Sequence, residues 1–175
     1  TTAAAGGGGG VKMDGGGATL TIANNSTFSG NSSTYMGGGI INIGGTLTVT
    51  NSAFSGNSST VLNGGGGIYN SGPLTISNSD FSNNLATAGG GGGITYAIAS
   101  GTGTITDSVF FNNQADAGAG VFISNGTMSI SGSTFLSNDA TSDGGGFYIA
   151  GSGLMTLTNS TLSANTTGSR GGGIF

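Results

Sequence analysis

Cysteine, histidine, tryptophan and glutamate are all missing from this 175-residue chain, proline occurs once, and cationic side chains occur twice. Without cysteine there are no disulfides, thiol nucleophiles or thiolate metal sites. The two cations, Lys12 and Arg170, stand against six aspartates for a net charge of −4. Nucleic acid binding needs several cations to neutralise phosphates, so it is excluded as a partner, and an anionic membrane surface is excluded on the same ground. No apolar run approaches the ~18–20 residues that cross a bilayer as a helix, so no direct membrane insertion is expected. Polysaccharide lyases and hydrolases need clustered carboxylates with a basic partner. With no histidine or glutamate, and with the two cations at opposite ends of the chain, no enzyme is expected. The near-absence of proline, and of glycine at every third position, excludes collagen.

What is abundant is glycine, with 40 residues, beside 34% hydrophobic residues that recur at fixed places. Patternless glycine would mean a flexible linker; this glycine is patterned. Six times an aromatic or leucine is followed three residues later by asparagine: Phe28/Asn31, Phe54/Asn57, Phe81/Asn84, Phe110/Asn113, Phe135/Asn138 and Leu162/Asn165. Successive copies are 26, 27, 29, 25 and 27 residues apart. Between them sit glycine clusters, each closed by one apolar residue: Val11, Ile40, Ile68, Ile94, Val121, Phe147 and Ile174. Two interleaved signals of one period define a solenoid with one coil per repeat.

Each coil also holds a strand signal. Leu74-Thr75-Ile76-Ser77 alternates apolar and polar, as do Leu47–Thr50, Met128–Ser131 and Met155–Thr158; in coil four Gly103 takes the first apolar place. Residues two apart share a face of a strand, so the apolar pair points inward and the hydroxyls outward. With no helical period, residues 1–175 read as one all-β domain, a right-handed parallel β-helix of about six coils of ~27 residues. At ~4.8 Å per coil it makes a rod about 30 Å long. Length varies after the asparagines and in residues 97–101, and those segments are expected to be loops that leave the coil.

Stacking places like over like. The column Phe28, Phe54, Phe81, Phe110, Phe135 and Leu162 is expected to form an internal ladder of stacked rings. Asn31, Asn57, Asn84, Asn113, Asn138 and Asn165 are expected to form a corner ladder of amides bonded from coil to coil. Asparagine tolerates left-handed backbone at a bend, which favours it there over glutamine. A second polar row, Asn25, Asn51, Asn78, Asp107, Gly132 and Asn159, precedes the aromatics.

Gly-Gly-X-Ile paired with Phe-X-X-Asn resembles the repeat of the polymorphic outer-membrane protein family. The likeness runs through Gly38-Gly39-Ile40, Gly66-Gly67-Ile68, Gly92-Gly93-Ile94 and Gly172-Gly173-Ile174. It departs where glycine replaces the usual alanine before isoleucine, and at Leu162, Val121 and Phe147. The resemblance implies a pectin-lyase-like helix and a role in adhesion or display on a bacterial surface.

Three outward features are candidate interaction sites. Thr48, Thr50, Thr75, Thr104, Thr106, Thr156 and Thr158, with interspersed serines, would make a flat hydroxyl face suited to ice or polysaccharide; threonine also simply suits exposed strands. Ile41, Tyr69, Phe122, Tyr148 and Phe175 each follow the inward apolar residue and would form an outward stripe for packing against another rod, unless the strand bends and tucks some rings inside. Asp116, Asp139 and Asp143 are the sole candidate set for a calcium ion; the plainer reading is solvated loop aspartates, and no cofactor is expected. None of the glycine runs continues into a phosphate-binding Gly-Lys-Ser/Thr.

The pattern opens just ahead of a glycine run and stops halfway round a coil, so both ends are expected to lack the polar caps that solenoids carry. The sequence therefore reads as a non-enzymatic structural or adhesive segment of a large secreted or cell-surface protein. The alternatives are a filament subunit joining end to end or laterally, and a solenoid with an ice- or polysaccharide-binding face. Expected partners are other copies, further repeats, or surface receptors.

Overall fold

A computed structural model describes residues 2–3 and 8–175. Every strand pairing in it is parallel, and each coil contributes to the same three sheets. In the third coil Ile68–Asn70 and Leu74–Ser77 lie in the first sheet, Asp80–Ser82 in the second and Leu85–Ala86 in the third. The register matches repeat to repeat: Leu47, Leu74, Gly103, Met128 and Met155 align, as do Val49, Ile76, Ile105, Ile130 and Leu157. The result is an all-β parallel solenoid of about six coils.

The third sheet corrects an expectation. The segments after the asparagines do not leave the coil at once; Ser32–Ser33, Ser58–Ser59, Leu85–Ala86, Gln114–Ala117 and Asp139–Asp143 pair as strands. Their inward residues are small: Ser33, Ser59, Ala86, Ala115 and Ala140 are all buried. They are small because the glycine arch that opens each coil packs directly on this strand. A Cβ on Gly38 would sit 2.6 Å from Ser58 backbone, and one on Gly66 would sit 2.6 Å from Leu85 nitrogen. Likewise Ala97–Gly101 lies within one long strand, Ile94–Thr106, whose pairing with Val121–Ser131 shifts register on either side of Ala97.

The core is one continuous apolar column bounded by the first two sheets, from Met13 to Phe147. Coil four shows how it tolerates a missing side chain. Gly103 stands where its neighbours carry Leu74 and Met128. Tyr96, wholly buried, fills that space: its ring carbons lie 3.1 Å from the point a Gly103 Cβ would occupy. Its hydroxyl is buried without a hydrogen-bond partner, and burial pushes the phenol from 10.0 up to about 12.

An unsatisfied buried hydroxyl costs ~1–3 kcal/mol, so Tyr96→Phe is expected to raise unfolding stability by about 1 kcal/mol in urea titration. Above pH 10 the unfolded chain releases the phenolic proton while the folded chain retains it. Stability of the parent protein therefore falls between pH 10 and 12, and the Phe variant should lose less over that interval. Equal stability and equal alkaline loss in the two chains would show the hydroxyl to be solvated.

Candidate functional site

The polar side chains divide into rows that hold the coils together and rows that face outward. Among the former, Phe28, Phe54, Phe81, Phe110 and Phe135 stack with centroids 4.6–4.8 Å apart and planes within 9°. Leu162 continues the column in register with Phe135. Beside them runs the amide ladder. The backbone N–H and Nδ2 of Asn57 both donate to Asn84 Oδ1 at 3.0 Å, while Asn84 Nδ2 also donates back to the Phe54 carbonyl at 2.9 Å. The same triad of bonds recurs at Asn113, Asn138 and Asn165. The left-handed bend is not at these asparagines but one residue earlier, at Gly30, Gly56, Asn83, Asn112, Ser137 and Ala164, with φ of 51–62°. The ladder position needs an amide; the preceding position needs the turn.

A third row escaped sequence analysis. Ser52, Ser79, Ser108 and Ser133 are buried. Each Oγ donates to the carbonyl two residues earlier, as Ser79 does to Ser77 at 2.8 Å. Along the row the N–H of Ser52, Ser79, Ser108 and Ser133 donates to the Oγ of the next coil's serine at 3.1–3.2 Å. The recurring serine two residues before each phenylalanine was the available signal.

Of the outward candidates, the apolar stripe is corrected. Ile41, Tyr69, Phe122 and Tyr148 align in one column with Thr95, yet Ile41 is 0% and Phe122 only 8% exposed. The glycine arch folds back over them: a Cβ on Gly118 would lie 3.0 Å from Phe122 Cβ, and one on Gly65 2.8 Å from Tyr69 nitrogen. Tyr69 and Tyr148 are half-buried and Phe175 is 38% exposed. Phe122 stacks on Tyr148 at 5.1 Å, Tyr148 meets Phe175 at 5.4 Å, and the Arg170 guanidinium lies 4.3 Å over the Phe175 ring.

The hydroxyl face is regular. Thr48, Thr75, Thr104, Ser129 and Thr156 form one column, and Thr50, Ser77, Thr106, Ser131 and Thr158 the next. Thr75, Thr156 and Thr158 are exposed; Thr48, Thr50, Thr104 and Thr106 are half-buried between neighbours.

The three aspartates are not gathered around one point. Asp143 is buried and receives hydrogen bonds from Arg170 Nε at 3.0 Å and Nη2 at 2.8 Å, which hold its carboxyl below the ordinary range. Asp116 accepts from Thr141 Oγ1 at 2.9 Å and Asp139 from Thr166 Oγ1 at 2.5 Å. Asp116 and Asp139 border a shallow hollow of about 280 Å³ on the third sheet with Leu85 and Gln114. Among the described residues no three carboxylates converge as metal ligands. The ion pair was illegible because Arg170 lies 27 positions from Asp143, one coil away.

A second hollow, of about 250 Å³, follows the corner between the first and second sheets. It is lined by Asn25, Asn51 and Asn78 with Thr27, Ser52, Ala53 and Asp80. This is the second polar row, and it is where the chain turns left-handed: φ is 62°, 46° and 47° at the three asparagines, and 62° at Gly132 in the same row.

Parallel coils, three sheets and internal ladders define the β-helix class. The sequence profile of the right-handed β-helix region matches residues 2–162, and the chain belongs to that family. Comparison with curated proteins and with solved structures returned no match.

Proposed function

We propose that the chain is a non-enzymatic structural and adhesive segment of a large extracellular or cell-surface bacterial protein. The observation that carries this reading is the distribution of its ionisable groups. Lys12 pairs with Asp14 at 3.0 Å and Arg170 with Asp143 at 2.8 Å, while Asp116 and Asp139 accept from threonines. Acid–base chemistry needs an acid and a base converging on one reacting group; the hollow that Asp116 and Asp139 share is shallow, ties each of them to a threonine hydroxyl and holds no cationic side chain. The polar inventory serves instead to lock coil on coil and to present flat hydroxyl and amide surfaces. Those are the surfaces of a rod that displays and attaches.

Beads coated with the purified chain and washed over cell layers or extracellular matrix under flow test the reading. Retention is expected to exceed that of beads carrying the heat-unfolded chain several-fold. Equal retention of the two would overturn the adhesive role. Electron micrographs of the same preparation should show dispersed short rods; long fibres would point to a filament subunit instead.

A further inference from the structure

We propose that the groove lined by Asn25, Asn51 and Asn78 binds a neutral linear glycan laid along the rod axis, as the ligand through which the adhesive role above is exercised. The left-handed backbone accounts for asparagine at these corners, but not for the state of the side chains. The ladder amides of Asn57, Asn84, Asn113 and Asn138 are buried and bonded on both sides. The amides of Asn25, Asn51 and Asn78 are exposed, and only their backbone groups bond within the protein. Each free amide presents both donors and an acceptor, the combination that pairs with sugar hydroxyls. Thr27 adds a hydroxyl to the same wall. The coil-to-coil step of ~4.8 Å is close to the length of one pyranose unit in an extended chain, so successive sugars meet successive asparagines.

One coil beyond the groove the second sheet carries an exposed apolar patch. Thr27, Ala53, Asp80 and Val109 form one outward column of the second sheet, and Ser29, Ser55, Ser82 and Phe111 the parallel one. Where earlier coils carry serine, coil four carries Phe111, 43% exposed, beside Val109, 39% exposed. An open ring one coil beyond the last free amide suits the C–H face of a sugar further along the same chain. The charge decides between glycan classes. Asp80 lines the groove and Asp107 continues the corner row, while Lys12 and Arg170 each pair with an aspartate elsewhere. A uronic acid polymer is repelled there; a neutral one is not.

The repeat itself supplies the test variants. Gly132 occupies the same left-handed corner as Asn51 and Asn78, so Asn51→Gly/Asn78→Gly removes two amides and keeps the turn. Ser82 occupies the register position of Phe111, so Phe111→Ser removes the ring and keeps the strand. Calorimetric titration with cello-, xylo- and mannohexaose, and with hexagalacturonate as the acidic comparator, is expected to show one-to-one binding of at least one neutral hexasaccharide and none of the acidic one. The double glycine variant should weaken that binding at least about tenfold, as expected for two lost hydrogen bonds of ~1 kcal/mol each, with an unchanged circular dichroism spectrum. Phe111→Ser should weaken it several-fold. Absence of binding by all three neutral sugars, an unaltered affinity in the double variant, or preference for hexagalacturonate overturns the proposal. Bead retention that persists in the double variant and under saturating hexasaccharide also overturns it while leaving adhesion intact. Sugar binding without bead retention overturns adhesion alone.

Discussion

Asn84→Ala is expected to lower unfolding stability by about 3–5 kcal/mol, a large part of the ~5–15 kcal/mol typical of a folded domain. The side chain is wholly buried. Alanine leaves the buried backbone N–H of Asn57 without its acceptor, Asn84 Oδ1, takes one of two bonds from Asn57 Nδ2, which keeps the Phe28 carbonyl at 2.9 Å, and removes the side-chain bond to the Phe54 carbonyl. The orphaned N–H costs ~1–3 kcal/mol and each further lost bond ~0.5–1.5 kcal/mol, and partial relaxation keeps the sum below the maximum. On the other side of the rung Asn113 Oδ1 loses the Asn84 Nδ2 donor at 2.9 Å but keeps the Asn84 backbone N–H, so the damage there is smaller. Asn78→Gly is the matched control, because that asparagine is exposed and its left-handed backbone suits glycine. Urea titration of both chains checks the contrast; a loss under about 1 kcal/mol for Asn84→Ala would mean that water replaces the amide.

The second large effect is expected at Phe81. Its ring lies 4.8 Å from those of both Phe54 and Phe110, and Gly67 packs so closely on it that an added Cβ would stand 3.3 Å from Cδ1. Phe81→Ala opens a cavity in the middle of the column and should cost ~3–5 kcal/mol. Phe81→Leu should cost less than about 1.5 kcal/mol, because the column already accommodates leucine at Leu162. Thermal and denaturant midpoints of the two variants separate volume from chemistry. If alanine proved no worse than leucine, the rings would not be what fills the interior.

Much of this architecture was legible because stacking converts a repeat into a column. The aromatic and amide rows, the alternating strand and the outward threonines follow from spacing alone. What escaped has three physical sources. The third sheet is built of very short strands with serine or alanine inward, so it carries no apolar alternation. Ile41 and Phe122 were assigned to the outside by strand alternation, and alternation cannot foresee glycine backbone folding back over that face. Tyr96 and the Asp143–Arg170 pair are departures from the repeat, and their partners lie in neighbouring positions only after winding. Of the candidate groove, the corner row Asn25, Asn51 and Asn78 was visible in the sequence. Its openness was not, since asparagine in the corner row and asparagine in the ladder row read alike in the sequence and differ in which face of the turn they occupy.

The amide and serine ladders also share an orientation. In both rows an oxygen receives hydrogen from the preceding coil: Asn84 Oδ1 from Asn57, and Ser79 Oγ from Ser52. The dipoles therefore add along the axis and polarise one another, giving the rod an electrical arrow from which its two directions can be told apart. A further coil stacked on these rows must bring its own Asn and Ser oxygens turned the same way; an inverted one would set acceptor against acceptor at one end and donor against donor at the other.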